Sequence, residues 1–359
     1  MKQFNEKLTG TVWQVVLPLD PPITTPSGPL REISTVVVRL IDGSRNEGVG
    51  YALAFDAPSF DRLARAVSRF LAAQDGVLAN LIRIERMADD GGDQIARKAI
   101  AAISLAAWDL LGKRKGMACA DLWGRQRASV PAYASALFLD QSPEELIGEA
   151  RGYRRMGYAT VKMRGGGAPG EDAARFAAVR SVYSEPHSVA IDFVCRANVE
   201  SARAFLREVG AERAGEPMWV EDPVPYGAIH ELDQRDGSSR IAAGESCGTV
   251  AELLELRRAG VGMLILDVEF LGGPLRFLET ARTLQALGCE VGSHMFAFES
   301  LHLLAALPGS MPVEVIDWCS ALFNEKPAPD AGGRLAVRGP GFGRSLCLDT
   351  LSRYGRRMP

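Results

Sequence analysis

The pattern of apolar and polar positions divides the chain into two regions of different character. In the first, Thr11–Leu17 and Ser34–Leu40 are β-rich runs, and the second leads through Asp42-Gly43 into Gly48–Phe55, a predicted hairpin partner. Between the two runs lies Asp20–Leu30, which carries Pro21, Pro22, Pro26 and Pro29. That composition predicts a loop, too polar and too proline-rich to be a strand. Helical patterns follow at Pro58–Ala73 and Asp93–Lys113. In the second, Ile100, Ile103, Ala107 and Leu110 share one helical face.

From about Val130 onward, short β-rich runs alternate with helical segments. The predicted strands are Val130–Leu137, Ala159–Met163, Val189–Phe193, Met218–Glu221, Ile241–Gly244, Met263–Leu266, Cys289–Ser293 and Val313–Ile316. Helices are predicted between them, among others at Pro143–Met156, Glu171–Tyr183, Val199–Val209, Val250–Ala259 and Pro274–Leu287. Strands recurring every ~20 to 30 residues meet the requirement of a (β/α)8-type barrel. A doubly wound open sheet is the competing α/β architecture, but no glycine-rich phosphate fingerprint follows the first strand. The predicted organisation is therefore an N-terminal α+β capping domain (1–125), a barrel (126–325) and a Gly- and Pro-rich C-terminal segment (326–359) that runs back over the capping domain.

Composition narrows the function classes. The 359 residues are 47% hydrophobic and 24% charged, as in an ordinary globular protein. A net charge of −3 with no Lys/Arg-rich run argues against a nucleic-acid partner. The longest apolar stretch, Ala99–Leu111, contains Ser104 and Asp109 and is too short for a membrane span. The N-terminus lacks the layout of a signal peptide. Six scattered cysteines (Cys119, Cys195, Cys247, Cys289, Cys319, Cys347) with no CxxC pair predict buried, reduced thiols in a cytoplasmic protein.

The ionisable residues fall at the ends of the predicted strands, where barrel active sites are built. In order these are Lys162 and Arg164, Asp192, Glu221, Glu245, Asp267, His294 and Glu314. Asp192, Glu221 and Glu245 end three consecutive strands (VAIDF, MWVEDP, IAAGES). A single carboxylate in such a place often caps the following helix. Three on strands spaced about 5 Å apart converge instead on one point, and oxygen-only ligands suit a hard cation such as Mg²⁺. His294 (EVGSHMF) and Asp267 (LILDVEF) end neighbouring strands, so the carboxylate can orient the imidazole as a general acid/base. His187, His230 and His302 lie in loop or helix contexts and are expected to be structural. Lys162 and Arg164 alternate on one strand face. Crowding by Arg164 is expected to weaken the proton affinity of Lys162, while Arg164 stays charged as a clamp. Glu314, with Asp317 as its competitor, is expected to hydrogen-bond a substrate carboxylate in its protonated form.

These residues, in this order, resemble the pattern of the mandelate racemase/muconate lactonizing enzyme group of the enolase superfamily, and most of all its mandelate racemase subgroup with the Asp–His dyad. The resemblance runs from the T-x-x-G segment at Thr25 and Gly28 to RGPGFG at Arg338–Gly343. It implies Mg²⁺ on Asp192, Glu221 and Glu245, acid/base work by His294 with Asp267, Lys162 facing a substrate carboxylate, and Glu314 stabilising an enediolate. It also implies substrate contacts from the capping loop, Thr25 among them, and from Ser135, and an assembly of several barrels. Two departures stand out: Arg164 replaces a lysine that serves relatives as a second base, and Val194 replaces an asparagine two positions after the first ligand. The expected activity is a Mg²⁺-dependent dehydratase of a hydroxylated carboxylic acid such as a sugar acid. The alternatives are racemisation of an α-hydroxy acid, or a non-catalytic protein binding a metal–acid complex.

Overall fold

The computed structural model describes residues 8–25, 28–73, 77–78, 80–89, 93–211, 216–232 and 240–359. Pro26 and Ser27 of the T-x-x-G segment, and residues 1–7, lie outside them. The chain opens with β1 (Thr9–Thr25), β2 (Gly28–Ile41) and β3 (Glu47–Ala54), then α1 (Ala57–Ala72), α2 (Leu81–Arg86), α3 (Gln94–Lys115) and α4 (Cys119–Leu122). Eight parallel strands follow: β4 (Ser129–Ser135), β5 (Thr160–Arg164), β6 (Val189–Asp192), β7 (Val220–Glu221), β8 (Ile241–Ala243), β9 (Met263–Leu266), β10 (Glu290–Ser293) and β11 (Val313–Val315). Between them run α5 (Pro143–Arg155), α6 (Pro169–Arg180), α7 (Val199–Ala211), α8 (Val250–Arg258), α9 (Pro274–Ala286) and α10 (Ala297–Ala305). β12 (Arg334–Ala336), α11 (Leu348–Tyr354) and β13 (Gly355–Arg357) close the chain.

The N-terminal sheet is antiparallel in the order β13-β1-β2-β3, so the C-terminus does return to the first domain. Helix α3 crosses it. Its start is capped by Asp93, which accepts from Ala96 N–H, and it stops at Gly116 with φ 64°. The helix presents small residues to β3: a Cβ at Gly50 would stand 2.1 Å from the Ala102 carbonyl oxygen, so only glycine allows this approach.

The expected loop at Asp20–Leu30 is instead the end of a long hairpin, with Ile23, Thr24 and Thr25 paired to Leu30, Pro29 and Gly28 after an irregularity at Pro18–Ile23. The reason is positional. β13 pairs β1 only at Trp13–Val15, and β3 pairs β2 only from Ser34 on. Among the described residues the distal arm is thus two-stranded, and at alternate positions, where the N–H faces outward, a proline breaks no ladder bond.

The barrel strands run in the order β10-β9-β8-β7-β6-β5-β4-β11. The ring is nearly closed, with Met311 N–H donating to Val291 O at 2.8 Å across the gap. Tyr133, Ala190, Trp219, Ala242, Met263, Ile265 and Met311 fill its interior, so the barrel is a packed core. Among the described residues, the positions after β7 and β11 carry 3-10 turns (Tyr226–Glu231 and Ser320–Leu322) in place of full helices, a departure from the strict eightfold repeat.

The C-terminal segment ties the two parts together. Asp109 of α3 accepts from Val49 N–H and from Phe342 N–H, both at 2.9 Å. Arg344 is buried, pairs with Glu299 of α10, donates to Val49 O at 3.1 Å and lies over the Phe323 ring at 3.9 Å. No helix among the described residues is long and apolar enough to cross a membrane. All six cysteines are free; Cys119, Cys247, Cys289 and Cys319 are buried as expected, whereas Cys195 and Cys347 are half-buried. Both lie outside the packed layers, Cys195 in the loop after β6 and Cys347 at the start of α11.

Candidate active site

Parallel pairing carries the strand-end residues into one ring. Arg164 is opposite Asp192, Asp192 opposite Glu221, Ser135 opposite Lys162, and Glu314 opposite Tyr133. Glu245 sits beyond the end of β8 because Gly244 turns the chain with φ 124°; a Cβ there would meet the Ile265 carbonyl oxygen at 2.9 Å. As a result, oxygen atoms of Asp192, Glu221 and Glu245 all lie within 4.8 Å of one another.

Lys162 Nζ stands at the centre of the buried carboxylates, 2.6 Å from Glu221, 2.9 Å from Glu314 and 3.7 Å from Asp192. Arg164 donates to Asp192 Oδ2 at 2.6 Å and to Ser135 Oγ at 3.0 Å. This corrects the expected weakening of Lys162. Burial alone would lower its proton affinity, but the carboxylates of Glu221 and Glu314 outweigh burial and raise it well above the ordinary value.

The Asp–His pair forms as expected. His294 N–H donates to Leu266 O at 2.9 Å, which sets the residue level with Asp267. His294 Nδ1 then lies 2.7 Å from Asp267 Oδ2, and Nε2 lies 3.4 Å from Glu245 Oε2. Asp267 is fixed in turn by Glu269 N–H and Phe270 N–H on its Oδ1, at 2.6 and 3.1 Å. Burial lowers the imidazole's proton affinity, but Glu245 and the bond to Asp267 push it up to about 10. Met295 and Phe296 follow in left-handed conformation (φ 50° and 49°), a sharp turn that lets Met295 N–H reach Glu314 Oε2 at 2.7 Å.

Glu314 lies in the site, and Asp317 does not: it lines a cleft of about 510 Å³ with Tyr153, Phe298, Phe323 and Lys326, between α5, α10 and the segment after β11. Glu314 was expected in its protonated form, and its surroundings pull the other way. Burial would raise its affinity, but Lys162, His294 and Arg164 hold it below the usual carboxylate range. Thr25 is not brought to the carboxylates; its hydroxyl donates to Gly28 O at 2.8 Å at the hairpin tip. Its neighbour Thr24 donates to Asp140 at 2.7 Å, setting the tip against the loop after β4. Of the remaining histidines, His187 and His230 are exposed and His302 is buried.

Three groups escaped the sequence reading. Trp219 donates from Nε1 to Glu221 Oε2 at 2.8 Å, and Tyr133 places its ring 5.5 Å from Lys162 Nζ. Their strand parity was a usable signal, since each shares a face with a site residue two positions on. Asp222, next to Glu221, is also buried, with Tyr226 OH donating to it at 3.2 Å.

The charges in this ring do not balance. Among the described residues, Asp192, Glu221, Glu245 and Glu314 face Lys162 and Arg164 as permanent cations and no others. Burial raises Glu221 to about 7 despite Lys162 beside it, the mark of a buried carboxylate short of positive charge. The donor set is all oxygen and lies within reach of one point, so the residues fit a hard dication. The site is open on one side. The side chains of His294 and Glu245 are 20% and 18% exposed, whereas those of Lys162, Glu221 and Glu314 are 1%.

Residues 7–124 match the model of the mandelate racemase/muconate lactonizing enzyme N-terminal domain, and residues 145–350 match that of the enolase C-terminal domain-like family. The L-talarate/galactarate dehydratase of Salmonella typhimurium LT2 is 26% identical over 308 residues, 83% of this chain and 77% of that protein. The arabinonate dehydratase of Saccharolobus solfataricus P2 is 26% identical over 281 residues, 72% and 73% of the two chains. Among solved structures, L-talarate dehydratase from Polaromonas sp. JS666, complexed with Mg and L-glucarate, has a TM-score of 0.86 at 24% identity, over 98% of each chain. With both of its parts matched, the chain belongs to the mandelate racemase/muconate lactonizing enzyme family of enolase-like proteins.

Proposed function

We propose that the protein is a Mg²⁺-dependent dehydratase of a hydroxylated carboxylic acid of the sugar-acid class, with Asp192, Glu221 and Glu245 as metal ligands. Bound there, Mg²⁺ would supply Lewis-acid polarisation of the substrate carboxylate. The observation that carries the reading is an asymmetry. One oriented imidazole stands on the open side with its side chain 20% exposed, while Lys162 is buried against Glu221 and Glu314 at 1% and Arg164 cannot give up its proton. Inverting a stereocentre needs a base on each face; eliminating water needs only one.

In this reading the His294 imidazole, whose raised affinity owes most to Glu245 and would fall with that carboxylate engaged on the cation, takes the α-proton at Nε2 as the neutral ring. The electron pair of the broken C–H bond forms the double bond as the β-carbon–oxygen bond breaks. The imidazolium returns the proton to the departing oxygen, and water leaves. The enol then tautomerises to a 2-keto-3-deoxy acid. Asp267 holds Nδ1 throughout, so that Nε2 faces the substrate. Lys162 and Arg164 supply fixed positive charge toward the carboxylate end, and Glu314 anchors Lys162 and the turn after His294. The names of the relatives, both sugar-acid dehydratases, support the substrate class. Six unpaired cysteines support a reducing, cytoplasmic setting.

The test is a panel of aldonic and aldaric acids, assayed for 2-keto acid with Mg²⁺ and followed by NMR in D₂O. Turnover to a 2-keto-3-deoxy acid is expected, with His294→Asn losing about 10²–10⁴ in rate while still folded. A deuterated α-epimer without keto acid would replace this reading with racemisation.

A further inference from the structure

The loop after β9 that carries Asp267 is held by the N-terminal domain. Glu269 is 1% exposed and forms a buried ion pair with Lys98 of α3. Its other oxygen accepts from Leu53 N–H of β3 at 2.8 Å, while Lys98 donates to Leu53 O at 3.0 Å. Both polar groups of the Leu53 backbone are thus used on this one pair. Lys98 also lies 4.9 Å from the Phe270 ring centre. On the barrel side, the Glu269 N–H is one of the two donors that fix Asp267 Oδ1. Further along the same segment, Glu85 of α2 accepts from Leu275 N–H at 2.7 Å at the start of α9. A Cβ on Gly272 would stand 2.5 Å from Ala88 Cβ. The N-terminal domain therefore grips the segment from Glu269 to Leu275 at several points.

We propose that Lys98 and Glu269 are positioning residues for proton transfer: the pair sets the height of the loop after β9, and thereby where Asp267 holds the His294 ring. The inference rests on reading Asp267 and His294 as the acid/base dyad. Its physical basis is the short relay from domain to ring. Lys98 and Leu53 fix the Glu269 carboxylate, the Glu269 peptide N–H fixes Asp267, and Asp267 fixes Nδ1. The same β3 end leads to Phe55, whose ring meets Trp318 edge-on at 6.3 Å. The grip on the dyad is therefore set by the part of the N-terminal domain that borders the segment following Glu314. A buried pair of this kind gives little net stability for its desolvation, but it holds one geometry.

The experiment uses full-length protein with ¹⁵N-labelled histidine. The Nδ1–H resonance of His294 is identified by its loss in His294→Asn. In Lys98→Met and in Glu269→Gln, this resonance is expected to shift and its exchange with water to speed up about tenfold, the Asp267 bond being less well held. Turnover of the acid found for the wild type should fall in kcat by about ten- to a hundredfold, the range of a misplaced catalytic group, with KM changing less than threefold. Lys98→Arg should restore both, since a guanidinium can still meet Glu269 and Leu53 O. The double variant should be no slower than the worse single one, because the two residues act as a unit. Folded variants with an unchanged Nδ1–H resonance and exchange rate, and only a lower melting temperature, would reduce the pair to a domain tie and overturn the proposal. If the wild type turns over no acid in the panel, the resonance arm still decides this inference, and the failure falls on the proposed function alone.

Discussion

His302 provides a quantitative test of how α10, the helix that follows the dyad turn, is built into the protein. The residue is fully buried, and its Nδ1 accepts from Ala120 N–H at 3.2 Å. Because the partner is a donor, Nδ1 must be the unprotonated nitrogen, and protonating it would break that bond without a replacement. Burial is the largest cause of the shift, with the Arg344 and Arg125 guanidinium groups adding to it; together they bring the imidazole down from its ordinary 6.5 to about 3. The folded value is depressed, so the unfolded chain binds more protons between these two values. The contribution to stability is complete above about pH 6.5 and is lost progressively as pH falls toward 3. Over the full range it amounts to about 5 kcal/mol, at 1.36 kcal/mol per unit. Between pH 7 and 5 it is about 2 kcal/mol, a ~30-fold change in the unfolding equilibrium. The assay is urea unfolding of the wild type and of His302→Asn at pH 7, 6 and 5. Asparagine keeps an acceptor for Ala120 N–H and does not titrate. Its packing loss is independent of pH, and the carboxylate ring titrates equally in both proteins, so only the difference in slope is read. The wild type should lose about 2 kcal/mol more than the variant over this range. Parallel slopes would mean that His302 is hydrated or already charged in the folded protein, and the burial argument would fail.

Mg²⁺ should raise the melting temperature of the wild type and EDTA should reverse it, with about 2.7 kcal/mol gained at a hundredfold excess over Kd. The same calorimetric shift in Glu245→Gln would show that the cation acts elsewhere. Val194 sits in the left-handed region at φ 49°, where a β-branched residue is strained. Since its N–H already bonds Asp192 Oδ1 at 2.8 Å, Val194→Asn should keep that bond and gain about 1 kcal/mol in urea unfolding. A loss of stability would mean that the valine side chain packs more usefully than its backbone is strained.

The barrel was legible because its strands are largely buried on both faces and, β7 apart, each is separated from the next by a helix among the described residues, so apolar runs mark them without tertiary information. The strand ends were equally legible. Parallel order turns sequence order into position around a ring, and for that reason Asp192, Glu221 and Glu245 could be joined before any coordinates. The hairpin arm was misread for the complementary reason. Proline was weighed as it acts inside a sheet, whereas Pro18–Thr25 and Gly28–Ile33 pair only with each other among the described residues. Whether a strand has a free edge depends on partners elsewhere in the chain, and local pattern carries no record of it.

The charge state of the site was illegible on the same principle. Arg164 is two residues from Lys162, so the sequence displays their repulsion; the carboxylates that reverse it come from β7 and β11, and reach Lys162 at 2.6 and 2.9 Å only after the ring closes. The replacement of lysine by Arg164 gains its meaning in the same way. A lysine at that position could lose a proton and act from the second face. The guanidinium is instead clamped between Asp192 and Ser135, and it cannot deprotonate. Lys162 is buried against Glu221 and Glu314, which raise its proton affinity, so with Arg164 the β5 side of the site concentrates positive charge. On the proposed reading, proton transfer falls to the His294 side, where a single imidazole can remove one proton and return it, and that division of labour between the two sides favours elimination over inversion.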